Sequence, residues 1–298
     1  MTKIVECIPN FSEGRDAERV EELAKVSKSV TGVTLLDYSS DASHNRSVFT
    51  LVGDPNGIAE VAFQLCKRAS ELIDMTKQSG EHPRMGATDV IPFVPIRNVS
   101  VEECVEISRQ VARRVWEELG IPSFLYEYSA TNPGRQNLAA VRKGQFEGMP
   151  EKLLLDEWAP DFGERKIHPT AGITAIGARP PLIAYNINLD TPDLEIANDI
   201  AKAVRGSSGG FKYCKAIGIK LEERNIAQVS MNMVNCEGTP LFRVFETVKS
   251  EAKRRGVNIL GSEVIGLANA KALIDCAEYY LQIEDFDYDT QVLENHLI

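Results

Sequence analysis

No stretch of the chain approaches the roughly 20 uncharged apolar residues that a membrane-spanning helix needs. The opening Met-Thr-Lys-Ile-Val-Glu-Cys has no apolar core of the kind a secretory leader requires. Basic residues are outnumbered 33 to 43, leaving a formal net charge of −10, which argues against general binding to nucleic acid or to an anionic membrane. The six cysteines (Cys7, Cys66, Cys104, Cys214, Cys236, Cys276) form no C-x-x-C pair and sit mostly in apolar surroundings. They read as reduced, buried thiols of a cytoplasmic protein. Histidine is scarce, with four in the chain, and neither HExxH nor any close His/Cys spacing occurs, so no metal site is expected.

What is present is ordinary globular material: 298 residues, 43% hydrophobic and 26% charged, enough for two cores without disulfides. Periodicity along the first hundred residues predicts strand 3–8, helix 16–29, a buried strand 33–38, strand 47–52, a helix from 55 to about 74 and strand 89–96. Pro92 and Pro95 push the last of these toward a sheet edge or a break. The order is βαββαβ, the split βαβ pattern. The last third repeats it: strand 182–189, helix 192–205, strands 216–221 and 227–233, helix 240–255 and strand 257–260. Between them, Ser100 and Glu103 fit a capping box ahead of a helix reaching about residue 119. A strand at 123–128, short helices at 137–142 and 150–155, and a loop over 156–172 follow. The fold class expected is α/β (α+β), two βαββαβ subdomains over residues 1–181 and 182–298, with a ligand cleft between them.

His82 lies in Gly80-Glu81-His82-Pro83-Arg84-Met85-Gly86, a polar loop bounded by glycines. Pro83 biases His82 toward extended backbone, and imidazole titrates near neutral pH, which suits a general base. Glu81, Arg84 and Asp89 are placed to orient the ring or to bind a charged substrate. His44 reads equally as a polar turn or a strand-end functional group, His168 as a ligand loop or a linker, and His296 as an exposed tail residue. The Asn10–Gly14 segment has one glycine and no lysine, so it is a poor phosphate loop, although amides at the following helix start suit a carboxylate. Gly206-Ser-Ser-Gly-Gly210 reads as a flexible connection or a mobile flap. Residues 161–220 carry eight basic against six acidic side chains, a net of about +2 against about −12 for the rest, and so form a rim suited to a polycarboxylate.

At these residues the chain resembles the formiminotransferase part of the formiminotransferase–cyclodeaminase family. The stretches that carry the likeness are Val5–Gly14, Ser79–Asp89, Trp158–Gly163, Asn186–Leu189 and Ala227–Ser230. The resemblance implies two ferredoxin-like subdomains, tetrahydrofolate as co-substrate in a cationic tunnel between them, and a homodimer. It places the catalytic histidine on His82. It places the folate-contacting loop on Gly163, Glu164, Arg165, Lys166, Ile167, His168, Pro169, Thr170, Ala171 and Gly172. Bifunctional relatives have an acid two residues after Asp37 that is proposed to assist the histidine. This chain has Ser39 there, and Asp41 is taken as the helper.

The activity implied is formimino transfer from N-formimino-L-glutamate to tetrahydrofolate in histidine degradation. The alternatives are formyl transfer from N-formylglutamate and cyclisation of 5-formyltetrahydrofolate. Regulatory or RNA-binding service is a third class, opposed by the acidic balance and by the lack of strands with interleaved basic and aromatic residues. The bifunctional members add a cyclodeaminase domain beyond this region, and with the chain ending at Ile298 no deaminase activity is expected. Lys166, on a matched loop, is the leading cationic partner for a glutamate carboxylate, with Arg46, Arg84, Lys212 and Lys215 as further candidates.

Overall fold

A computed structural model describes residues 2–42, 44–80, 83–221 and 224–296. The chain divides into two compact units, 1–179 and 180–298.

In the first unit the strands are β1 (Ile4–Cys7), β2 (Asn10–Phe11), β3 (Val33–Asp41), β4 (Arg46–Gly53), β5 (Thr88–Arg97), β6 (Ser123–Leu125) and β7 (Thr174–Ala178). The helices are α1 (Ala17–Ser27), α2 (Pro55–Leu72), α3 (Val101–Leu119), α4 (Leu138–Arg142) and α5 (Gln145–Lys152). β1 and β2 are one strand interrupted at Ile8–Pro9. Both halves lie between β4 and β5 and are antiparallel to each, while β3 lies outside β4. β7 and then β6 extend the sheet in parallel from β5.

The helices start where their sequences provide caps. Asp16 and Asp54 accept the first free amides of α1 and α2, and Ser100 with Glu103 forms the expected capping box on α3. Their apolar stripes, Val20 and Leu23 of α1, Ile58, Val61 and Leu65 of α2, and Val111 and Val115 of α3, pack with Val5, Phe49, Leu51, Ile91 and Phe93 into one core. Alternate strand residues point the other way. Val90, Phe124 and Ala175 meet Val141 of α4, Met149 of α5 and Leu153 just past it in a second, smaller core. β5 is therefore covered on both faces, which accounts for its unbroken burial from Thr88 to Val94.

The two prolines of β5 do not place it at an edge, contrary to expectation. Backbone polar groups alternate sides along a strand, so the Pro92 nitrogen faces the interruption at Ile8–Pro9 and the Pro95 nitrogen lies past the end of β7, which stops opposite Phe93. Neither removes a ladder bond, and the Pro92 carbonyl still accepts from Ile8 N at 3.2 Å. The edges are β6 and β3, the latter expected to be buried but exposed along most of its length. β7 was not anticipated at all. Its Thr-Ala-Ile-Gly-Ala sequence mixes strand-favouring Thr and Ile with unfavourable Ala and Gly, and every residue of it is buried.

The second unit contains β8 (Ile183–Leu189), α6 (Leu194–Val204), β9 (Cys214–Leu221), β10 (Ile226–Met233), α7 (Leu241–Arg254) and β11 (Ile259–Ile265), followed by α8 (Ala270–Leu281) and α9 (Tyr288–Gln291). The βαββαβ order gives an antiparallel sheet β11-β8-β10-β9. Ile183, Tyr185, Ile187 and Leu189 alternate toward α6 and α7 to form its core. The fold is mixed α/β with two sheets, as the sequence predicts.

Candidate functional site

Four segments of the first unit converge at the β3–β4 hairpin end. Asp41 closes β3 opposite Arg46, which opens β4. The chain between them contains Asn45 in the left-handed region, φ 49°, a conformation asparagine tolerates better than most side chains. Asn45 is buried and ties the segments together. Its Oδ1 accepts Gly14 N at 2.9 Å, and its Nδ2 donates to the Ser79 carbonyl at 3.0 Å and to Gln78 Oε1.

Two glycines are required by close approach. A Cβ at Gly14 would collide with the Asp41 carbonyl and the Arg46 amide, and one at Gly80 with the His44 carbonyl. The hairpin, the Asn10–Gly14 turn and the segment ending at Gly80 therefore touch backbone to backbone. Phe11, Ser12, His44, Asn45, Arg46, Arg84 and Asp89 line the small concavity that results.

Charges in this region are largely engaged with the protein itself. Glu13, 2% exposed, accepts Arg15 N and Asp16 N at 3.0 Å through Oε1 and Arg19 Nη1 at 3.0 Å through Oε2. Asp16 accepts Glu18 N and Arg19 N. The amides at the start of α1 thus hold the chain's own carboxylates, and the expected carboxylate cradle there is not available. Asp89 accepts Met85 N at 3.0 Å and is in ion-pair contact with Arg142. Arg84, buried, donates to Gln145, to the Gln78 carbonyl and to Glu147. Both brace the 83–89 stretch rather than standing ready for a ligand. Arg46 donates to Asn10 Oδ1; burial first, and then the neighbouring Arg142 charge, push its guanidinium down to about 10, with Asp89 opposing.

Of the two residues expected to be catalytic, His82 lies outside the described residues, as does Glu81. Their flanks are placed: Gly80 lies against the hairpin and Arg84 is anchored as above. Asp41 is half exposed, and its carboxylate takes both the amide of His44 at 2.8 Å and His44 Nδ1 at 2.9 Å. The structure thus joins two residues that the sequence treated separately.

The loop expected to contact folate divides into two parts. Its inner end is bound to the histidine-bearing segment: Gly86 and Gly172 form an antiparallel bridge, Ala87 N donates to Ala171 O at 2.9 Å, and Ile173 N to Met85 O at 3.1 Å. His168 and Gly172 exchange backbone bonds at 2.9 and 3.0 Å, and His168 Nδ1 accepts Ala171 N at 3.0 Å. Burial lowers the His168 pKa, in keeping with a neutral ring whose proton sits on Nε2. The outer part, Glu164 to Lys166, is exposed, and Arg165 is paired with Asp156 at 2.7 Å.

The other basic candidates lie in the second unit. Lys215 is exposed on β9, and Lys212 rests 5.0 Å from the Tyr213 ring. The glycine run beside them is closed by backbone bonds from Ser208, Gly210 and Phe211 to Arg205 and Val204, which ties it down more than a flap would be. Asn45 and Arg142 were not singled out from the sequence. An asparagine followed by Arg-Ser at a hairpin end was the available signal for the first, and nothing marked the second.

Two family models match the chain: the N-terminal subdomain of the formiminotransferase domain over residues 4–179, and the formiminotransferase domain over residues 184–296. Among curated proteins, the chain is 71% identical to the glutamate formimidoyltransferase of Streptococcus pyogenes serotype M1, covering 100% of both chains. It is 46% identical to the glutamate formimidoyltransferase of Thermoplasma acidophilum over 99% of this chain and 97% of that one. It is also 46% identical to the formimidoyltransferase-cyclodeaminase of Gallus gallus, over 95% of this chain and 53% of the longer protein.

Proposed function

The chain belongs to the formiminotransferase domain family, and from that premise we propose that it transfers the formimino group of N-formimino-L-glutamate to tetrahydrofolate, giving 5-formiminotetrahydrofolate and L-glutamate. The observation that carries this reading is the 71% identity, end to end, with a protein named for that transfer. A role in histidine degradation, a homodimeric state and a cytoplasmic location accompany the family reading and are proposed with it. Tetrahydrofolate enters as a second substrate.

The chemistry assigned to the site is acid–base catalysis. N5 of tetrahydrofolate attacks the formimino carbon, forming a C–N bond and a tetrahedral intermediate. Neutral His82 takes the N5 proton. The bond to the glutamate nitrogen then breaks, and the imidazolium returns the proton to that nitrogen as glutamate leaves. Asp41 is assigned to assist, and its contact with His44 brings a second imidazole into that role. The bridge between Gly86 and Gly172 supports a folate loop held beside the histidine-bearing segment.

His82→Ala tests the assignment. Turnover is expected to fall by about 10²–10⁴-fold, the usual worth of a general base, with tetrahydrofolate binding retained. Near-normal turnover would remove His82 from the mechanism.

A further inference from the structure

The two short helices α4 and α5 lie outside the βαββαβ pattern. Gly144, with φ 99°, lets the chain turn between Arg142 and Gln145. Both sides of that turn reach the residues that follow His82. From α4, Arg142 forms its ion pair with Asp89, and Asp89 Oδ1 accepts Met85 N at 3.0 Å. From α5, Phe146 N donates to the Arg84 carbonyl at 2.8 Å, while Gln145 and Glu147 accept from the Arg84 guanidinium at 3.2 and 2.9 Å. The turn is itself fastened. Lys152 Nζ donates to the carbonyls of Ala140 and Val141 at 2.7 Å and of Lys143 at 3.0 Å, and lies 3.8 Å from the centre of the Trp158 ring. A Cβ at Gly172 would sit 3.1 Å from Phe146 Cδ2, so the same pair of helices also touches the inner end of the loop over residues 163–172.

Arg142 is held differently from Arg135. Arg135 makes directed hydrogen bonds to Asp161 and to two backbone carbonyls. Among the described residues, neither Nε nor Nη2 of Arg142 makes a hydrogen bond, nor does Asp89 Oδ2, and all three atoms are buried. Buried polar atoms of this kind call for an explanation. The pair acts by charge at close range rather than by a directed bond. Arg46, on the wall of the concavity that Asp89 also lines, is a second cation near that carboxylate. With Arg142 removed, Asp89 would be left to Arg46 and drawn off the Met85 amide toward β4.

Resting on the proposed transfer, and deepening it, we propose that α4 and α5 form a clasp on the catalytic segment, with Arg142 as a positioning residue. Acting through Asp89, Arg142 fixes the backbone after His82 and so aims the imidazole at N5 of tetrahydrofolate. It touches neither substrate in this role. Its charge is what acts, so lysine can stand in for it.

The test is the turnover of Arg142→Met and Arg142→Lys, each with His82 present and in the His82→Ala background, at a temperature where melts show every variant folded. With His82 present, Arg142→Met is expected to lower kcat about 10–100-fold, the cost of a small misplacement of a catalytic group. KM for both substrates is expected to stay within about twofold, since no binding contact is removed. Arg142→Lys is expected to restore most of the lost turnover. In the His82→Ala background Arg142→Met is expected to cost nothing further, because a residue that acts only through His82 has nothing left to act on. An equal loss in both backgrounds, or no loss in either, would overturn the proposal. Should Arg142→Met lose its cooperative melt, Glu147→Ala, on the exposed side of the clasp, replaces it in both backgrounds. Its expected loss is about 2–5-fold, the worth of an exposed pair, and the same outcomes decide. Hydrogen exchange reads the clasp independently of activity: the amides of residues 84–89 are expected to exchange faster in Arg142→Met, and those of α1 and α2 at the wild-type rate. Faster exchange there in a protein without transferase activity would sink the transfer reading and leave the clasp standing. Transfer by wild type with unaltered kcat in Arg142→Met would sink the positioning role alone.

Discussion

His168 acts through an acceptor nitrogen. Its Nδ1 takes the Ala171 amide at 3.0 Å, and protonation there would set one N–H against another. Its folded pKa is lowered by burial, so below the unfolded value near 6.5 the unfolded chain binds the proton more readily. Stability from this residue is present above that pH and is lost as pH falls through it. His168→Asn keeps an acceptor at the Nδ1 position and cannot take up the proton. Urea midpoints measured from pH 7.5 to 5 are therefore expected to fall more steeply for wild type than for His168→Asn; parallel curves would contradict the assignment. The cysteines behave as their surroundings dictate: all six are free, and burial pushes the Cys66 thiol up to about 11.

At the scale of elements, the stretch from Trp158 to Gly163 is anchored by one buried pair. Arg135 Nη1 meets Asp161 Oδ2 at 2.7 Å, with both side chains under a tenth exposed, and Arg135 Nη2 also donates to the carbonyls of Glu157 and Ala159. Asp161 in turn accepts Leu125 N at 2.8 Å and the Thr131 hydroxyl, fastening the start of the loop to β6. Asp161→Ala would leave a buried guanidinium without its carboxylate, so a loss of about 3–5 kcal/mol in unfolding free energy is expected from chemical denaturation. A loss below about 1 kcal/mol, the worth of a surface pair, would contradict the anchoring role.

Helices with a clear 3.6-residue stripe and a capping residue were legible in the sequence, α3 with its capping box above all. Strands were legible as elements but not by position in the sheet. Whether Pro92 interrupts β5 depends on what lies opposite its nitrogen, which only pairing reveals. β7 has no periodic signal to read, because both of its faces are buried. The hairpin end, the loop over residues 163–172 and the polar matched stretches at Asn186 and Gln228 could be marked from sequence. The Asp41–His44 contact, the Arg142–Asp89 pair and the backbone bond from Phe146 to Arg84 arise from register and packing.

For the whole molecule, both units pack α/β cores of their own, and a family model matches each. An acidic chain of net charge −10 with a locally basic stretch over 161–220 suits an enzyme whose two substrates both carry glutamate carboxylates. The central claim is the transfer itself. Purified protein mixed with tetrahydrofolate and N-formimino-L-glutamate, then acidified, is expected to give the absorbance of methenyltetrahydrofolate, in an amount that depends on enzyme and on both substrates. No such absorbance from folded protein that binds tetrahydrofolate would contradict the account.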